Sequence, residues 1–285
     1  MKRPKRFGYR QRARLGVSLL MALISLLLVL PLWYVLNNAF KVEKEILRSP
    51  LLLLPRSATL DNVANAFKAM KYPQRFLNST IILALSCALL ICLGSLAAFG
   101  IAMARSRFLN GVYAVLVATI TLPFQLAMVP LIFLLKGLHL LNTYWGTALV
   151  YSAWFLPFVI FLYTGFIRTI PRELEEAGRV DGCGLLRSFL AIHLPLLKSV
   201  TGTVLILRGV PIWNDLLVPM ITLTRSTLST LPLKLYSFIG AYGASMTHWN
   251  LVFGGTFIVS LPILLAFLFL QRYFVRGVVA GAIKG

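Results

Sequence analysis

Half of the acidic side chains in this sequence stand together. Of eight acids in 285 residues, Glu173, Glu175, Glu176 and Asp181 fall within Glu-Leu-Glu-Glu-Ala-Gly-Arg-Val-Asp-Gly, a polar segment that runs on to Leu194-Pro195. No base or nucleophile is spaced to work with them. His139, His193 and His248 lie in three different connections without metal-ligand spacing. Cys87, Cys92 and Cys183 are too few and too scattered for a disulfide framework. No Gly-x-x-x-x-Gly-Lys-Ser/Thr phosphate loop occurs, so the chain does not bind ATP itself. Neither a catalytic constellation nor a metal site is expected, and the chemistry left to this segment is contact and charge.

The segment reads as two short helices. Pro171 suits a first helical position, and the glutamates crowd the first turn, where the helix dipole favours negative charge. Arg172/Glu176 and Glu175/Arg179 are i,i+4 pairs that support the helix locally. Leu174, Ala177, Gly178 and Asp181 share one face, shallow enough for another protein's backbone to come close. Gly182-Cys183-Gly184 stops the helix and permits a sharp turn. A second helical pattern follows through Leu185, Phe189, Ile192 and Leu196. By residue types alone this is either a solvated hairpin joining two spans or a surface through which another protein acts on them.

The elements that must position it are membrane spans. Charged residues make up 13% of the chain, against about 25% in a soluble domain, and several long stretches carry no charge. Six spans are expected: Leu15–Leu36, Phe76–Ala104, Phe108–Leu135, Leu141–Ile167, roughly Ser199–Val218, and Asn250–Leu270. Arg208 and Asp215 interrupt the fifth. The first is longer than a signal-peptide core and no Ala-x-Ala-like site follows it, so it reads as a retained span. Pro123, Pro130 and Pro157 fall inside spans and favour kinks. Gly94/Ala98 and Gly100/Ala104 are small-xxx-small pairs that let helix backbones approach, within the chain before between subunits.

The net charge of +20 sits in loops that flank the spans, where topology and lipid head groups explain it without nucleic acid. Residues 1–14 are basic without an acid, Arg105 and Arg107 follow the second span, and Lys136 follows the third. This places both termini, with Arg272, Arg276 and Lys284, in the cytoplasm. The first connection, residues 37–75, carries as many basic residues as the N-terminus, but long loops weigh little in orientation. Residues 168–198 are then cytoplasmic, and 219–249 face the other side. That outer loop, with Arg225, Lys234, Tyr236, Tyr242 and Trp249, is a surface for an extracytoplasmic protein or an ordinary solvated loop. Arg208, inside the fifth span, is costly unless it faces a cavity or partner; it reads as a pathway residue or as a snorkelling side chain near a displaced boundary. Trp213 and Asp215 are expected near the outer interface.

Glu176-Ala177, Gly182, Ile192 and Leu194-Pro195 resemble, at the family's spacing, the EAA loop of binding-protein-dependent ABC transporter permeases. The likeness extends through Phe76-Leu77-Asn78-Ser79, Leu141-Asn142-Thr143-Tyr144-Trp145-Gly146, Trp213-Asn214-Asp215, Gln271-Arg272-Tyr273-Phe274-Val275-Arg276-Gly277 and the tail Ala280–Gly285. Its flanks are similar to the carbohydrate-uptake subfamily, the maltose-type permease subunit in particular. The resemblance implies an all-α membrane protein of the type I importer fold, with six helices and a cytoplasmic coupling loop. The permease core is residues 76–275, between an extracytoplasmic loop at 37–75 and a tail at 276–285. It implies a bacterial or archaeal inner-membrane subunit that pairs with a second, homologous permease. Further partners are a cytoplasmic ATPase dimer that holds ATP and Mg and a solute-binding protein that delivers a sugar. Glu175, Glu176, Ala177, Gly178, Asp181, Gly182, Ile192, Leu194 and Pro195 would form the ATPase-coupling element. Glu176 would meet a basic ATPase residue, Ala177 would permit close approach and Gly182 would supply the turn. Gly178 departs from the family's second alanine and softens the helix by about 1 kcal/mol. Arg208, Trp213, Asn214 and Asp215 are the expected translocation-path residues, Arg208 on its chemistry alone. Alternatives are a permease for a glycerol-phosphate ester, a secondary transporter or a membrane enzyme. The last two would need intramembrane carboxylates or a catalytic cluster, and apart from Asp215 the spans offer none.

Overall fold

The computed structural model describes residues 7–48, 50, 52–104, 106–239 and 248–282. Residues 2–6, Arg105 and Tyr242 lie outside the described residues, as do the side chains of residues 7–13, of Arg172 and of all residues from Gln271 onward. Two compact bodies make up the chain, residues up to Met70 with Phe238–Ile258, and Lys71–Ser237 with the segment from Val259.

In the first body α1 (Phe7–Ala39) is apolar on all sides from Leu15 to Leu36 and exposes them: Leu15, Leu19, Leu26 and Leu28 are all uncovered. Hydrocarbon is the solvent that suits such a helix. Its last turn becomes polar and is pinned. Trp33 donates to the Leu52 carbonyl at 3.2 Å and Asn37 to that of Leu53 at 2.6 Å. The segment expected as a loop at 37–75 holds two helices, α2 (Glu43–Arg48) and α3 (Asp61–Met70). Buried Asn62, in the first turn of α3, donates to the carbonyls of Ala39 and Lys41 at 3.2 and 2.6 Å. A Cβ on Gly254 would strike the Asn62 carbonyl, so glycine is required where the last helix passes.

The second body is built on α4 (Tyr72–Ala104) and α7 (Tyr144–Ile167). Gly94 lets them meet: a Cβ there would stand 2.5 Å from Cγ1 of Val159. The first small-residue pair therefore packs within the chain, while Gly100 faces open space. Buried Ile82, Leu90 and Ala98 of α4 and Val159, Ile160 and Tyr163 of α7 belong to the central core. Pro157 does not interrupt α7.

Among the described residues, four helices are long and apolar enough to cross a membrane: Arg14–Ala39, Tyr72–Ala104, Tyr144–Ile167 and Trp249–Ala266. The count becomes six when each of two bent pairs is taken as one span. The first pair is α5 (Arg107–Thr119) and Phe124–Gly137, which ends in α6 (Met128–Gly137) and bends by 101°. The bend has a local cause. Pro123 cannot donate to the preceding turn and holds Leu122 away from helical geometry, so the third expected span is broken rather than kinked. Pro130 lies in the first turn of α6, where its missing N–H is not needed.

The second pair is α9 (Leu185–Leu196) and α10 (Lys198–Asn214), bent by 69°. Each contains a widened π turn, Phe189–His193 and Leu205–Gly209, and each turn ends two residues before a proline, Pro195 and Pro211. A proline ring crowds the carbonyl four residues back; widening the preceding turn relieves that contact without ending the helix. The amide of Leu194 accordingly reaches back five residues to Phe189. Helix α10 ends at Asn214, and a separate α11 (Leu217–Thr222) follows, so the fifth expected span, Ser199–Val218, is cut at Asp215.

At the end of α4 and α7 remote from Arg172–Leu196, the resemblance motifs act as clamps. Asn78 donates to the carbonyls of Thr227 and Ser229, each at 3.0 Å, and accepts from the Tyr144 hydroxyl at 2.7 Å. Arg75 adds a 2.6 Å bond to Thr227, and Ser79 accepts from the amide of Leu231, which opens α12 (Leu231–Tyr236). Asn142, at φ 58°, accepts from the Arg225 amide and exchanges side-chain bonds with Thr224. The 222–231 connection is thereby held along its length. A Cβ on Gly146 would collide with the Leu140 carbonyl, which explains the glycine there. The last helix, α13 (Trp249–Ala282), runs well past the expected boundary at Leu270.

Candidate functional site

The acidic segment folds as two helices. Its first helix, α8 (Arg172–Val180), begins after Pro171, which takes the cap position rather than the first helical one. Gly182 adopts φ +76°; its amide bonds to Arg179 and that of Cys183 to Gly178, at 3.0 and 2.9 Å. These are the two bonds of a Schellman stop, so the turn assigned to Gly182 is present. Of the two expected ion pairs, Glu175–Arg179 forms at 2.9 Å.

The shared face expected for Leu174, Ala177, Gly178 and Asp181 divides. Leu174, Ala177 and Asp181 are exposed, but Gly178 is buried beneath Ile192, whose Cδ1 would stand 2.6 Å from a Cβ at that position. Gly178 thus serves the packing of α8 on α9, and this corrects its placement on a partner-facing surface. Ile192, half-buried, holds the other side of that contact.

The buried stripe of α9 also differs from expectation. Leu185 and Leu196 are exposed, while Phe189 and His193 turn inward against Phe99 of α4, with ring centroids 5.3 and 4.8 Å away. His193 Nδ1 donates to the Ser188 carbonyl at 3.2 Å. His193 is therefore a core residue that anchors the segment to α4. Glu175, Arg179, Cys183 and Ser188 line a cleft of about 340 Å³ with Phe99 at its floor. Leu194 and Pro195 line an apolar groove of about 530 Å³ with Ile91, Lys198, Thr201, Gly202 and Leu205.

What remains outward on α8 is Glu173, Glu176, Ala177 and Asp181, joined by an apolar side chain with no cover. Val180 is 87% exposed, and Leu174 is 45% exposed. An uncovered aliphatic residue on an otherwise charged helix marks a contact surface when it lies within a patch, and Leu185, Leu186 and Leu190 continue the exposure onto α9. The charge pattern of α8 concealed Val180 in the sequence; its β-branched side chain among helix-favouring neighbours was the available signal.

The second group of expected residues separates into two surfaces. Trp213 is buried edge-on against Phe76, at 5.7 Å between centroids, and packs the helix instead of lining a path. Asn214 is exposed, and its amide bonds back to the Val210 carbonyl. Asp215 is half-buried. Its carboxylate accepts from the Tyr151 hydroxyl at 2.9 Å and from the amides of Leu217 and Val218 at 3.2 and 2.9 Å, and so caps α11. These bonds fix the break between α10 and α11.

Arg208 lies in the second π turn, half-buried, with its guanidinium carbon 3.6 Å from the centre of the Phe158 ring and 4.8 Å from that of Phe155. Its Nε is buried with no hydrogen-bond partner. A central arginine costs about 2.5–3.5 kcal/mol on insertion scales, and desolvated contact with aromatic faces returns about 2 kcal/mol. Arg208 makes no ion pair among the described residues. Phe155 also borders a pocket of about 140 Å³, with Phe124, Gln125, Tyr151, Trp154 and Asp215. Sequence reading missed this aromatic wall, although the density of rings in α7 was legible.

Among the described residues the fold is built of helices, with two bent apolar pairs and a polar two-helix segment that carries an exposed face. The family model described as binding-protein-dependent transport system inner membrane component matches residues 90–280, and the chain belongs to that family. It is similar to the melibiose/raffinose/stachyose import permease protein MelC of Bacillus subtilis (strain 168), with 33% identity over 94% of this chain and 96% of that one. The arabinooligosaccharides transport system permease protein AraQ of the same organism is 30% identical over 95% of this chain and 96% of its own length. In fold, the chain matches a crystal structure of a bacterial ABC transporter involved in the import of the acidic polysaccharide alginate. The TM-score is 0.82, over 96% of this chain and 100% of that chain, at 17% identity.

Proposed function

We propose that this chain forms, with a second permease, the membrane pathway of an ATP-driven importer for a sugar delivered by an extracytoplasmic binding protein. The observation that carries the reading is the Arg172–Leu196 projection. Its shape is set by Gly182 and by the Gly178–Ile192 contact, and it leaves Glu176, Ala177 and Val180 uncovered. A separate ATPase dimer, holding ATP and Mg, docks there. Glu176 meets a basic ATPase residue, Ala177 permits approach, and Val180 enters an apolar recess. Motion passes through Phe189 and His193 to α4. Both termini and this projection face the cytoplasm, and the connection clamped by Asn78 and Asn142 faces the binding protein. The saccharides named for the relatives favour a sugar over a glycerol-phosphate ester.

The reading is tested by co-expressing the chain with its neighbouring permease, ATPase and binding-protein genes. Co-purification of the ATPase and binding-protein-dependent ATP hydrolysis in proteoliposomes are expected. A chain that purifies without an ATPase under mild detergent, or hydrolysis indifferent to the binding protein, would overturn it.

A further inference from the structure

We infer that Arg208 and the aromatic pocket sharing Phe155 form a subsite for an acidic saccharide, one whose ring carries a carboxylate. This rests on the importer reading above. Three observations point to it. The guanidinium carbon stands 3.6 and 4.8 Å from the centres of the Phe158 and Phe155 rings, and Phe155 also lines the neighbouring pocket. Its Nε is buried without a partner. The acid nearest in the sequence, Asp215, is engaged by Tyr151 and the amides of Leu217 and Val218.

Arg208 makes no ion pair among the described residues, and a half-buried cation so placed selects an anion over a neutral donor or acceptor. A hydroxyl would satisfy a hydrogen bond but leave the charge uncompensated, whereas a carboxylate accepts two parallel charge-assisted bonds from one guanidinium edge. The neighbouring pocket supplies the rest of a sugar site. Phe124, Trp154 and Phe155 offer ring faces for the apolar face of a pyranose, and the Gln125 amide can bond to hydroxyls. At about 140 Å³ it is smaller than the ~300 Å³ or more of a pocket that encloses a whole ligand. It therefore suits one ring of a chain in passage.

The test uses the complete detergent-purified assembly of both permeases and the ATPase without the binding protein, so that the binding protein's own selectivity plays no part. Binding of trisaccharides of glucuronate, galacturonate and mannuronate is measured against their neutral counterparts in the wild type, Arg208→Gln and Arg208→Lys. At least one acidic trisaccharide is expected to bind about tenfold more tightly than its neutral counterpart. That preference disappears in Arg208→Gln, is partly kept in Arg208→Lys, and weakens with salt. No preference for any acidic probe, or the same preference in Arg208→Gln, overturns the inference. So does loss of the second permease from the Arg208→Gln assembly, which would place the counter-ion in that subunit. If the ATPase fails to co-purify with the wild type, the importer reading itself fails; if it co-purifies and no acidic preference is found, only the subsite fails.

Discussion

Ile192 occupies the space above Gly178: its Cδ1 would stand 2.6 Å from a Cβ at that position. The side chain missing at residue 178 is what allows the two helices of the projection to lie against each other. Alanine would gain about 1 kcal/mol of helix propensity but would have to displace the end of Ile192. Gly178→Ala is expected to lower the thermal stability of the purified assembly, and Ile192→Val, which removes that terminal methyl, to restore much of it in the double variant. A double-mutant cycle gives the result: a coupling of about 0.5–3 kcal/mol supports the contact, and additivity within about 0.5 kcal/mol argues against it.

Glu176 is exposed, so reversing its charge leaves the fold intact. Glu176→Lys is expected to reach the membrane and assemble at normal levels, yet to lower sugar uptake about tenfold or more while ATP is still hydrolysed. Normal uptake by this variant would falsify the role given to the residue.

Val180→Asp tests the apolar half of the same surface. With the side chain 87% exposed, little folding energy depends on it. The expected outcome is weaker retention of the ATPase during purification, with the melting temperature of the isolated permease pair unchanged. A change in melting temperature without loss of the ATPase would mean that Val180 serves the fold instead.

Asn78 makes three hydrogen bonds that span α4, α7 and the 227–229 segment. Asn78→Leu takes a partner from the Ser229 carbonyl and the Tyr144 hydroxyl, at about 1–3 kcal/mol for each buried group, while the Thr227 carbonyl keeps Arg75. Poor expression and protease sensitivity in the 222–231 connection are expected. Limited proteolysis in right-side-out membranes reads this directly, and wild-type resistance would refute the clamp.

Cys183 is half-exposed in the projection, whereas Cys87 is buried. In a Cys92→Ser background, a membrane-impermeant maleimide is expected to label Cys183 in inverted vesicles and to spare it in intact cells. Labelling from outside would reverse the orientation.

Sequence alone placed the projection, its stop at Gly182 and the number of apolar segments, because charge depletion and glycine punctuation are local signals. It misplaced what depends on a neighbour. Nothing near Gly178 tells which way its face turns; that is set by Ile192, fourteen positions on. His193 and Leu196 fit helical periodicities almost equally well, and the ring of Phe99 decides between them. Pro123 and Pro157 look alike in hydrophobic surroundings, yet one breaks its helix and the other does not. The difference lies in the turn that follows Thr119 and in the packing of α7 along α4, neither of which is encoded beside the proline.

The two widened turns before Pro195 and Pro211 also fix a phase. An extra residue in a turn rotates all that follows by about 100° around the axis, so each turn works as an angular offset written into chain length. With its offset, α10 presents Arg208 to the rings of α7 while Trp213 meets Phe76 on α4. Deleting one residue from Leu205–Gly209 would keep the helix and its hydropathy, yet point those two side chains at the wrong neighbours. Direction in this segment is thus inherited through residue count as much as residue type, and homologues that differ there by a single insertion would face their pathway with a different set of side chains.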